Sequence, residues 1–224
     1  MKKLLLPLAG LLGMAICNDQ TEDCSEEKPK KRRNFTRELQ KEIAERLKEY
    51  GFKKSSVFYA KRISPTISWG IACSLSSFNS PHRWVLVHLK LENSDLNEIE
   101  TRMTGYTSSN KYWFSVGTML HRPDHVEGWE FRSDMDNSAM MDDMINAIVE
   151  RGIPILERLS TIDGMISYFK GTNHGFFALT KCYYLKGEKQ KGIEMLEKEI
   201  EEAKNDEIHV KSLSEYLEQY KALD

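Results

Sequence analysis

The chain has few of the sequence features by which proteins are most easily classified. Its 224 residues include four cysteines and six prolines, and no two cysteines form a Cys-x-x-Cys pair. Cysteines this few and scattered do not build a disulfide scaffold or a zinc knuckle. An excess of charge of one sign is also lacking, because 32 lysines and arginines face 34 aspartates and glutamates. We therefore expect no nucleic acid among the partners, since binding a phosphate backbone requires a basic surplus.

Motifs of catalysis are lacking as well. No serine lies in a Gly-x-Ser-x-Gly elbow, and no glycine-rich phosphate loop occurs. The nearest approach to a reactive cluster is the pair His121 and His125, followed by Glu127. Pro123 prevents the two histidines from sharing a regular helix face, as the helical zinc signature requires. We expect a polar loop with no metal and no cofactor. The alternative is a hydrolase-like enzyme that uses His121 and His125 with the nearby carboxylates.

Long hydrophobic runs are absent except at the start of the chain. Two lysines precede the apolar run Leu4–Leu12, and Ala15 supplies the small residue of a cleavage site, which is typical of a secretory leader over residues 1–17. Cys17 is the acylated residue in a second interpretation, that of a lipoprotein, although Ile16 departs from the small residue expected before it. Both routes predict an exported protein of the bacterial cell envelope, periplasmic or membrane-anchored. A cytoplasmic location requires the leader interpretation to be wrong.

Residues 18–33 contain acidic side chains first and basic ones afterwards, with hardly an apolar group among them. Such a segment cannot offset its ordering entropy by burial, so it is predicted to be a disordered tether. Contact of its basic part with anionic lipid is the functional alternative.

The hydrophobic periodicity of residues 34–170 predicts one α+β domain. Helical spacing covers residues 35–50, with Asn34 as the cap and Gly51 as the stop. Strict alternation from Ile67 to Leu75 is typical of a strand with one apolar face. Three further segments with strand character bring the total to four, which we expect to form an antiparallel meander packed by helices: 56–61, 84–92 and 112–120.

The connections between these elements carry further expectations. Residues 93–111 form a long connection whose 95–103 part is either a short helix or a flap, and loops of this length are often functional. Residues 121–132 are expected to be a loop. A helix follows, ended by Gly152 and Pro154, and then two short helices, 153–159 and 161–169, the second capped by Ser160.

The order of motifs in residues 34–169 resembles a bacterial domain-of-unknown-function family, the one numbered four-three-zero-four. The matching motifs are Tyr50-Gly51-Phe52-Lys53-Lys54, Phe58-Tyr59, the tryptophan of the second strand, Phe114-Ser115-Val116-Gly117 and Gly152-Ile153-Pro154-Ile155-Leu156. The long 93–111 connection and the leader depart from the family pattern. The family brings no agreed chemistry. Some members are suspected immunity or toxin-associated proteins, so the resemblance implies a toxin-neutralising role as a further alternative.

Residues 171–224 resemble one tetratricopeptide repeat followed by a capping helix over 207–220. The matching positions are Phe176, Leu179, Thr180, Tyr183, Gly187, Gly192 and Leu196. Glu199 and Lys204 depart from the pattern. Because one repeat cannot bury its own apolar face, we expect the tail to rest on residues 162–169 and on the capping helix. It is either a hairpin packed on the domain or a peptide-binding groove.

These patterns favour an exported, non-enzymatic module that binds a protein or peptide partner through its sheet or through the 93–111 segment. Large aromatics of a sheet covered on one side are mostly core, and those left on the uncovered side would form a binding platform. The candidate interaction residues are Trp84, His88, Tyr106, Tyr112, Trp113, Trp129, Phe176 and Tyr183. Membrane tethering through the N-terminus remains open.

Overall fold

The computed structural model describes residues 29–55, 58–75, 82–105, 115–122, 128–170 and 175–224, with side chains from Phe35 onward. It confirms the α+β class, since an open antiparallel sheet packs against helices. The helices are α1 Pro29–Lys48, α2 Ser94–Thr104, α3 Ser138–Ala147, α4 Ile153–Leu159, α5 Ile162–Phe169, α6 Phe176–Leu185, α7 Lys189–Glu202 and α8 Glu207–Lys221. The strands are β1 Lys53–Ser55, β2 Phe58–Arg62, β3 Ile67–Leu75, β4 His82–Asn93, β5 Val116–Leu120 and β6 Trp129–Arg132.

The sheet has the order β1-β2-β3-β4-β5, and β6 pairs with β4 beside β5. The meander is confirmed, but the predicted number of four strands is wrong because β1 and β6 were missed. β1 has the sequence Lys-Lys-Ser, which offers no apolar alternation and is placed by its backbone pairing with β2. β6 does alternate, with Trp129 and Phe131 buried, yet four residues are too few to separate a strand from a loop by pattern.

Helix α1 begins at Pro29, inside the basic block that was predicted to be part of the tether. The expected cap at Asn34 is therefore wrong, and residues 29–33 belong to the helix instead. A proline is well suited to the first helical position, where its missing N–H has no partner in any case. The predicted stop is confirmed, since Gly51 has a left-handed φ of 83° just after the helix.

Gly152 and Pro154 do not end the helix that begins at Ser138. One π-helical turn, Ile148–Gly152, joins α3 to α4, and the Ile153 N–H bonds to the carbonyl of Ile148, five residues earlier. Gly152 has an ordinary helical conformation, and its role is close packing, because a Cβ there would lie 3.1 Å from Leu89 Cδ2 on the sheet. The glycine was thus misread as a stop signal.

The cap predicted at Ser160 is also wrong. The side chain of Thr161 caps α5, accepting a hydrogen bond from the Gly164 N–H at 3.0 Å. Ser160 Oγ instead accepts from the indole N–H of Trp69 at 2.7 Å, and so it ties α4 to the sheet.

Residues 94–104 are a helix rather than a flap. Asn93 caps α2, accepting from the N–H groups of Asp95 and Leu96 at 3.0 and 3.3 Å. The buried side of α2 faces a second, smaller core, which has members from α2, α7 and α8. These members are Ile99, Met103, Leu196, Leu213, Leu217, Tyr220 and Leu223.

Helix α6 joins this second core to the main core beneath the sheet. Its residues Ala178, Leu179 and Cys182 belong to the main core, and Phe176 and Tyr184 pack against the second. A helix enclosed on most of its sides is an internal element of a domain. The tail therefore rests on α5, as expected, and also on α2, which the sequence did not indicate.

Candidate functional site

One face of the sheet carries no helix among the residues that the structure describes. Along β4, the side chains of Val85, Val87, Leu89 and Leu91 point into the core and are fully buried. The residues between them point to the opposite side, which we call the outer face. Its members on the three central strands are Ser68, Gly70, Ala72, Ser74, Trp84, Leu86, His88, Lys90, Gly117 and Met119.

Small side chains form the floor of the outer face. Gly70 of β3 lies opposite Lys90, and Lys90 lies opposite Gly117 of β5. The next row pairs Ala72 with His88 and His88 with Met119. Because most neighbours of β4 on this face are small, the larger side chains of β4, together with Met119 of β5, rise above the surface as a ridge.

The accessible part of this face lies toward β4 and β5. Trp84 is 37% exposed, whereas Phe58 of β2 is 6% exposed and Gly70 is buried. Leu86, His88 and Met119 are half-buried. The ridge therefore presents the exposed indole of Trp84 beside side chains that are only partly accessible to solvent.

His88 lies at the centre of the ridge. Burial, and then the charge of the neighbouring Lys90, lower the pKa of His88 below its ordinary value of 6.5. The imidazole is thus neutral at pH 7, and it offers one donor and one acceptor to a partner.

The end of the face near β6 is charged. His82 is hydrogen-bonded to Glu130, and Arg132 Nη2 lies 2.9 Å from Asp134 Oδ2. The hydrogen bond from Arg132 lowers the pKa of Asp134. Within each pair, the two side chains satisfy each other's hydrogen-bonding groups. This end of the outer face is therefore polar and forms a rim next to Trp84.

The structure divides the predicted aromatic surface. Trp84 and His88 lie on the outer face, but Trp129 does not, because it is fully buried and donates its indole N–H to Asp143 Oδ2 at 2.8 Å. Its inclusion among the interaction residues is therefore wrong. Tyr106, Tyr112 and Trp113 lie outside the described residues, as does the lipidation candidate Cys17. Pattern reasoning missed Leu86 and Met119, although alternation along β4 would have placed Leu86 outward.

Phe176 and Tyr183 are half-buried on α6. Helix α2 packs against both α6 and α8, and these two helices also contact each other, since the Tyr220 hydroxyl donates to the Thr180 carbonyl at 2.8 Å. Lys181 Nζ of α6 lies 2.8 Å from Glu100 Oε2, and Arg102 Nη2 donates to the Asp224 carbonyl at 3.1 Å. Of the two alternatives for the tail, a packed hairpin or a peptide-binding groove, these contacts of α2 favour the packed hairpin.

The structure describes only part of the histidine loop. His121 is exposed and His125 lies outside the described residues. Within the described ranges, no three His, Cys, Asp or Glu side chains are grouped to hold a metal. The thiols of Cys73 and Cys182 pack against the core, and burial raises the pKa of each to about 12, so neither is a reactive thiolate.

Comparison with family models, with curated proteins and with solved structures finds no match. The family resemblance of residues 34–169 therefore stays a prediction. No helix in the part of the chain that the structure covers has the length and apolar character that a bilayer crossing requires.

Proposed function

We propose that the protein is a non-enzymatic module that binds a protein or peptide partner through the outer face of its sheet. The observation that carries this proposal is the ridge of Trp84, Leu86, His88 and Met119, an apolar surface that no described helix covers. Surfaces that combine a large aromatic with apolar neighbours and a polar rim are typical of protein interfaces. The partner is expected to present apolar side chains to the ridge and hydrogen-bonding groups to His88.

The tail supports the same location. We interpret α6 to α8 as one tetratricopeptide-like hairpin with its capping helix. Contacts of α2 with both α6 and α8 leave less of the tail open to a peptide. This supports the sheet over the tail as the binding surface among the described residues.

We propose further that this binding takes place in the bacterial envelope, after export by the predicted leader of residues 1–17. The family resemblance and the toxin-neutralising role that it implies would place the protein in the cytosol. The compartment in which the partner is found therefore separates the two roles.

The experiment is site-specific photocrosslinking in cells. A photoreactive amino acid replaces Trp84 in one variant and Ile208 in the control variant. Ile208 is the better exposed of the two, at 80% against 37%, but it lies on α8, away from the sheet. We expect one adduct of defined mass at position 84, recovered with the envelope fraction, and none at position 208. Equal adducts at both positions, or none at position 84, would contradict the proposal, and an adduct confined to the cytosol would contradict the location.

A further inference from the structure

We draw no further inference here: the strongest candidate, the aromatic surface patch of the tail where Phe177 of α6 lies 43% exposed against Tyr216 of α8 with ring centroids 4.6 Å apart, carries nothing because nothing in the described part of the structure shows what covers it.

Discussion

Gly192 of α7 lies in close contact with Tyr220 of α8. A Cβ placed there would lie 2.3 Å from the Tyr220 hydroxyl oxygen and 2.7 Å from its Cζ. Tyr220 of α8 is fully buried, and its hydroxyl donates to the Thr180 carbonyl at 2.8 Å. Its ring also lies nearly parallel to that of Tyr216, with the centroids 6.5 Å apart, so the hydrogen bond and this neighbour both restrict its movement.

Gly192→Ala should therefore destabilise the protein, although alanine favours helices. The exchange gains about 1 kcal/mol of helix propensity. Overlap with a fixed ring costs about 1–3 kcal/mol. Loss of the Tyr220 hydrogen bond adds about 0.5–1.5 kcal/mol. The net loss is about 2 kcal/mol, which lowers Tm by about 4–8 °C for a domain of this size.

The assay is urea and thermal unfolding, followed by circular dichroism and by tryptophan fluorescence. Ser212→Ala, an exposed substitution on α8, is the control and should change stability by no more than about 0.5 kcal/mol. The double variant Gly192→Ala/Tyr220→Phe should lose less than the sum of the two single variants, because removal of the hydroxyl relieves the closest contact. A neutral or stabilising Gly192→Ala would refute the packing of α7 on Tyr220.

Two further predictions concern α2 and the outer face. Ile99→Ala should lower the free energy of unfolding by about 2–5 kcal/mol in urea titrations, because the side chain fills the second core, and exposed Glu98→Ala serves as control. A decrease in the free energy of unfolding of less than about 1 kcal/mol would show that the packing of α2 does not stabilise the tail. The pKa of His88 is lower in the folded protein than the 6.5 of an unfolded chain. As the pH falls below 6.5, the unfolded chain therefore binds more protons than the folded protein, and the free energy of unfolding decreases. The decrease ends when the pH passes below the pKa of His88 in the folded protein. His88→Gln should remove this contribution to the loss of stability between pH 7.5 and pH 5. Identical profiles of unfolding free energy against pH for the original protein and the variant would contradict the prediction.

Much of the fold followed from periodicity. The alternation of Ile67–Leu75 and the helical repeat of Leu39, Ile43 and Leu47 gave their elements correctly, because each has one buried face. Errors occurred where a residue has two roles. Gly152 resembles a helix stop, and only the nearness of Leu89 shows that it is a packing residue.

The candidate site could be predicted less well. Trp129 and Trp84 are both strand tryptophans, and which of them faces outward depends on the register between β6 and β4, where Val85 pairs with Trp129. Likewise, the packing of α2 on the tail depends on contacts between distant segments, such as Glu100 with Lys181.

The packing of α2 against both α6 and α8 affects the order in which the chain folds. Arg102 and Asp224 are separated by 122 residues, and Glu100 and Lys181 by 81. Contacts across such long loops form late and slowly, since the loop entropy is lost before they are made. The main sheet can therefore assemble first, and the apolar side of α2 then stays exposed until α8 packs against it.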